Sequence, residues 1–228
     1  MSENTPTKER GRPRTFDIDE ALQAALQVFW REGFLNASLS DLTAAMGINK
    51  PSLYAAFGDK QALYLAALER YAALHLKAPA ERLGANPDGR AAVRDFLKAL
   101  STLFVDPSLP GGCFIVNGSA DSGAITMPKG VESALQKALR GNEALLRARL
   151  ERAAADGQLP AGRKPAALAS FFMATVAGMS VMAKNGAGRA VLDTVADTAL
   201  AVWDAGRPGS AEPVRRASAR RAVSSRTA

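Results

Sequence analysis

Apolar positions along this chain recur at intervals of three and four residues, and no stretch alternates with period two. Everything between the two ends therefore reads as helix, and the fold class is all-α. Asp17, with Glu20 three residues on, opens a first helix with Ile18, Ala21, Leu22, Ala25, Val28 and Phe29 on its apolar face, and Gly33 stops it. Ser38 followed by Asp41 resembles a capping box ahead of Leu39, Leu42 and Met46, so a helix of about two turns ends at Gly47. Asn49 caps a third helix with Pro51 in its first turn and Leu53, Ala56 and Phe57 facing inward. Asp59 caps a fourth, in which Leu63, Ala67, Leu68 and Tyr71 recur to about Leu76, and Pro79 marks its end.

Beyond a loop at residues 84–89 the pattern predicts a helix from Arg90 to about Val105, carrying Val93, Leu97, Leu100 and Phe104. Two prolines and two glycines break the chain at residues 106–112, and a new helix begins near Cys113. A second loop at 123–128 precedes a long helix from about Lys129 to Asp156, with a weak point at Gly141 and a stop at Gly157. Residues 163–184 form the most apolar run, rich in small residues from Phe171 to Ala183, and a last helix spans Arg189 to Ala205. The resulting division is an arm at 1–16, a head with its linking helix at 17–76, a larger helical domain at 77–205, and a tail at 206–228.

Two short capped helices around a glycine turn, the second with a basic and hydroxyl-bearing face, have the layout of a helix-turn-helix. The outer face of the second carries Lys50, Ser52 and Tyr54. A helix of roughly eight residues is about 12 Å long, which suits a major groove about 12 Å wide. The run Gly47-Ile48-Asn49-Lys50-Pro51-Ser52-Leu53-Tyr54-Ala55-Ala56-Phe57-Gly58-Asp59-Lys60, followed by Leu63, resembles the tetracycline-repressor (TetR) family of bacterial regulators over about Arg12 to Tyr71. Farther along only helix count and length are similar, except that Gly112-Cys113-Phe114 looks like a Gly-Cys-apolar step found in a subset of the family. The resemblance implies a homodimer whose N-terminal domain reads a double-stranded DNA operator and whose C-terminal domain binds a small-molecule effector and dimerises through its last two helices. It further implies phosphate contacts from Ser38, Tyr54 and Lys60, and base contacts from Lys50, Pro51 and Ser52. Ala55 and Ala56 stand where many relatives carry larger side chains, which thins the set of base contacts.

Charge alters this picture little. The net charge of +7 lies in the ends, +2 in residues 1–16 and +5 in 206–228, so the helical part is neutral. Arg12 and Arg14, spaced by proline ahead of the head, suit the minor groove beside the operator, where A·T tracts concentrate negative potential. The tail, rich in Arg, Ser, Ala, Pro and Gly, lacks the apolar periodicity needed to offset ordering entropy and reads as disordered. A single cysteine permits no internal disulfide, no run reaches about 18 consecutive apolar residues, and Met1 to Arg14 has no apolar segment of a secretory signal. A cytoplasmic protein without a membrane span is the expectation.

Catalytic chemistry has little to stand on. No glycine-rich phosphate loop, metal-ligand cluster or nucleophile motif occurs, and His75 is the only histidine, so neither metal nor cofactor is expected. Two readings stand open for Cys113: a small buried hydrophobe, or a sensor whose thiolate is favoured by the start of a helix. Phe171, Ala174, Ala177 and Gly178, with Trp203 on the last helix, are the candidate dimer contacts, because so apolar a segment exceeds what one helix needs within its own subunit. The methionines Met173, Met179 and Met182 read as core or dimer packing rather than an effector lining.

Overall fold

A computed structural model describes residues 16–120 and 124–204. Arg12, Arg14 and the basic tail lie outside them. Ten α-helices and no strand occur among the described residues. The head comprises α1 (Ile18–Asn36), α2 (Leu39–Met46) and α3 (Lys50–Phe57), with α4 (Lys60–Tyr71) packed along α1. The second unit comprises α5 (Lys77–Ala85), α6 (Gly89–Phe104), α7 (Phe114–Ser119), α8 (Lys129–Ala155), α9 (Pro165–Lys184) and α10 (Arg189–Asp204).

The local signals act as read. Asp17, Asn49 and Asp59 each accept a backbone N–H of the following turn, and Ser38 and Asp41 form the reciprocal capping box. Gly47 closes α2 in the left-handed region at φ 64°, a conformation that favours glycine. Gly33 likewise breaks the helical path of α1, at φ 77°.

Four expectations are corrected. Pro79 does not end the linking helix: a single π-turn, Ala72–Leu76, joins α4 to α5, and the path continues to Ala85 with Pro79 buried. Pro79 falls in the first turn after this change of hydrogen-bonding pattern, where its missing N–H costs least. The drawn boundary at 76/77 therefore lies within a continuous helical path. Gly141 does not weaken α8, which runs unbroken for 27 residues, about 40 Å. Gly89 belongs to α6 rather than a loop, and its buried N–H donates to Gln158 Oε1 at 2.6 Å. Trp203 is no dimer contact: it is 1% exposed within its own protomer, and its indole N–H donates to Gln158 O at 3.2 Å. A tryptophan needs an apolar seat and one acceptor, and the turn after α8 supplies both.

The two units meet at α7, which contacts α1, α4, α8 and α9. Trp30, Tyr64, Tyr71 and Phe114 form an aromatic cluster there, with Trp30 and Tyr71 edge-to-face at 4.8 Å and the rings of Tyr64 and Phe114 tilted at 5.1 Å. Helix α9 is long and apolar enough to cross a membrane by length and composition, but it packs on α6, α8 and α10.

Candidate nucleic-acid interface and sensing unit

Helix α3 exposes Lys50, Pro51, Tyr54 and Ala55, while Leu53 is wholly buried. Tyr54 is 47% exposed, so its ring is not a core ring. Lys50 and Tyr54, four residues apart, share one face. Ser52 is half-buried, with its backbone N–H bound by Asn49 Oδ1 at 2.9 Å, and it stands at the edge of that face. Phe57 is half-buried against the core. No acidic residue lies in the first turn of α3, so its N-terminus stays favourable to anions.

Ser38 is exposed, but its hydroxyl is engaged, accepting from Asp41 N at 3.1 Å and donating to the Asp41 carboxylate. Those hydrogen bonds hold the Asp41 carboxyl below its ordinary value. A phosphate at this helix start would meet the backbone N–H groups of the first turn before it met a free Ser38 proton. Lys60 opens α4 half-buried, with its ammonium 4.6 Å from the centroid of Phe34, and burial pulls its pKa down.

Cys113 is buried at the start of α7, where Tyr71 Oη donates to its Sγ at 3.3 Å. The premise of an activated thiolate fails: burial pushes the thiol up, outweighing the hydrogen bonds from Tyr71 and the N–H groups of Val116 and Ile115. Burial also raises Tyr71 well above its ordinary value, with Cys113 adding to the shift. No hydrogen bond joins Cys113 to His75 among the described residues. His75 sits instead with the rings of Trp30 and Tyr71, each 5.4 Å away, and burial lowers its pKa despite the charge of Asp106. Alkylation of Cys113 by iodoacetamide at pH 7.5 is therefore expected to be at least about tenfold slower in the native protein than in urea. Equal rates would overturn the buried-thiol geometry. Unfolded chains ionise at Cys113 and Tyr71 before the folded one does, so stability is full below about pH 9 and falls as pH rises beyond it.

Sequence reasoning missed the joint around this cysteine. Trp30 Nε1 donates to Gly111 O at 3.1 Å, and Asn117 Nδ2 donates to the same carbonyl at 3.3 Å. Ser180, fully buried on α9, donates to Asn117 Oδ1 at 3.3 Å and accepts from Cys113 N at 2.8 Å. The loop before α7 thus ties the first helix of the head to α9. The signal for Trp30 was its place four residues after Leu26, a second apolar stripe on α1.

A narrow, largely apolar cavity of about 30 Å³ lies beside Cys113, lined by Leu83, Phe96, Leu100, Phe104 and Met173 among others. Met173 is thus a lining residue, contrary to expectation, whereas Met179 is fully buried core. On the outer face, Phe171, Ala174, Gly178 and Val181 of α9 are exposed, and an open groove of about 380 Å³ runs between α9 and α10. Ala177 is half-buried on the edge of that face.

A three-helix head with an exposed reading helix, joined to a helical unit with its own cavity, defines a helix-turn-helix DNA-binding regulator. Residues 21–67 match the domain described as bacterial regulatory proteins, tetR family, and residues 89–199 match the tetracyclin repressor-like C-terminal domain. The chain belongs to the TetR family of transcriptional regulators. It is 35% identical over 204 residues to the HTH-type transcriptional repressor ComR of Escherichia coli K12, covering 86% of this chain and 93% of the relative. Among solved structures, a cysteine-substituted TetR family regulator CifR, complexed with 26-bp double-strand operator DNA, superposes with a TM-score of 0.78 at 38% identity, over 84% of this chain and all of that one. The reduced form of NemR from E. coli has a TM-score of 0.67 at 25% identity, over 79% of this chain and 94% of that one.

Proposed function

We propose that this chain is a cytoplasmic repressor that binds a pseudo-palindromic operator as a homodimer and releases it when a small molecule occupies the helical domain. The capped, eight-residue α3 with Lys50, Pro51 and Tyr54 on its free face carries this reading. Lys50, Pro51 and the edge residue Ser52 meet base edges, with Pro51 against thymine methyls. Tyr54, Lys60 and the start of α2 at Ser38 hold phosphates, and Arg12 and Arg14 reach the minor groove. The operator complex of CifR supports the DNA-binding part. Phe171, Ala174 and Gly178, with Ala177 at the edge, form the dimer face.

Release follows from packing. The cavity leaves only about 30 Å³ free, so an effector of more than a few atoms enters as α5, α6 and α8 move apart. Helix α5 continues into α4, and α4 lies along α1, so that expansion moves the head. A ligand acts by favouring the arrangement in which the two heads no longer match their half-sites. The raised Cys113 thiol favours a noncovalent effector over electrophile sensing, and Cys113→Ser should respond normally.

Operator binding measured by fluorescence anisotropy at several salt concentrations tests the DNA contacts. Tyr54→Phe should weaken all sequences by a similar factor of about ten, the worth of one hydrogen bond to a charged phosphate. Lys60→Ala should lower the salt slope by about 1. Unchanged affinity in both folded variants would remove these contacts. A wild-type protein with little preference among sequences would point to an architectural DNA binder instead.

A further inference from the structure

Arg149 on α8 is only 6% exposed, yet no carboxylate pairs with it among the described residues. Its Nη2 donates to Asn86 O and Pro87 O, both at 3.0 Å, which ties the turn between α5 and α6 to α8. That accounts for one terminal nitrogen. Nη1 is buried and has no hydrogen-bond partner. Carbonyl oxygens supply dipoles but no compensating charge, and a buried cation without an anion is expensive.

Arg149 and Arg152 border a groove of about 250 Å³ whose remaining walls are apolar, including Ala80, Leu83, Leu145 and Ala148. Arg152 is exposed and also lacks an ion pair among the described residues. Ala80, Leu83 and Leu145 line the apolar cavity as well, so groove and cavity lie on two sides of one partition between α5 and α8.

We propose that the effector is a small amphiphilic monoanion, with its carboxylate held by Arg149 and Arg152 and its apolar chain inserted through that partition into the cavity. This rests on the effector-cavity reading above and adds the chemistry of the ligand. A guanidinium presents paired N–H donors that match a carboxylate, and desolvation by the apolar walls strengthens the pair. The apolar lining selects the chain. Neutral ligands would leave both guanidinium charges without a counter-ion, and a free inorganic anion would leave the cavity unfilled.

The full-length protein is titrated with octanoate and with octan-1-ol, following binding by calorimetry and operator release by fluorescence anisotropy. Octanoate should bind and release the operator, with octanol at least about tenfold weaker. Arg152→Gln, at an exposed position, should weaken octanoate by about tenfold and leave octanol unchanged. Arg149→Gln should show a larger loss, with circular dichroism reporting whether it folds. Equal binding of the two probes, or octanoate binding untouched by Arg152→Gln, would overturn the proposal. Binding of octanol alone would overturn it while keeping the cavity reading, and binding of neither would overturn both.

Discussion

Gly178→Leu should yield folded monomers with operator affinity reduced by about 10²- to 10⁴-fold. Phe171, Ala174, Gly178 and Val181 follow one another at spacings of three and four, so they stand on one face of α9, and all four are exposed in the protomer. Thr194, Val195 and Thr198 of α10 complete the groove beside them. A Cβ at Gly178 would meet no atom within 4 Å, and leucine is the better helix former by roughly 0.8 kcal/mol, so the protomer has no reason to unfold. Helices that pack across small residues approach to about 8–10 Å, and leucine would fill that space on both copies at once. Each half-site alone contributes weak binding, and tethering two heads supplies the rest. Sedimentation and circular dichroism distinguish the outcomes. A dimer that persists in a folded variant would place the interface elsewhere.

Gly112→Ala should destabilise the protein by roughly 2–5 kcal/mol and lower the melting temperature by roughly 4–20 °C. Gly112 has φ 66°, where an L side chain adds about 1–2 kcal/mol. A Cβ there would also lie 2.6 Å from Ser180 O and 2.9 Å from Ser180 Oγ, the group that accepts from Cys113 N–H. Either α9 shifts or that buried hydrogen bond breaks, which adds about 1–3 kcal/mol. Gly111→Ala is the internal control. Its φ is 89°, but its nearest new contact is 3.9 Å away, so only the backbone strain applies. Equal melting temperatures for the two variants would mean that the Ser180 contact contributes nothing.

The head was legible in the sequence because its signals are local. Ser38 with Asp41, Asn49 with Ser52 and Asp59 with Ala62 each close over three residues, and glycine supplies the left-handed end of α2. Tyr54 was legible for the same reason, since Leu53 already takes the inward position beside it. What stayed hidden depends on partners far along the chain. Trp30 meets Gly111 across 81 residues, and Arg149 reaches Pro87 across 62. Trp203 read as a dimer contact because Gln158, which accepts its N–H, lies 45 residues upstream. The π-turn at Ala72–Leu76 inserts one residue per turn without any glycine or proline inside it, so periodicity alone ran into Pro79 and stopped.

The near-absence of free space in the cavity has a kinetic consequence. With about 30 Å³ available, an effector of more than a few atoms enters only as the helices separate. It must catch the helices during a spontaneous separation, a collective motion on the microsecond-to-second scale. The observed association rate should then rise with effector concentration only until opening becomes the slow step, and plateau there. Dissociation must pass through the same opening. A bound molecule would outlast a brief dip in supply, so derepression would persist after a short pulse of effector.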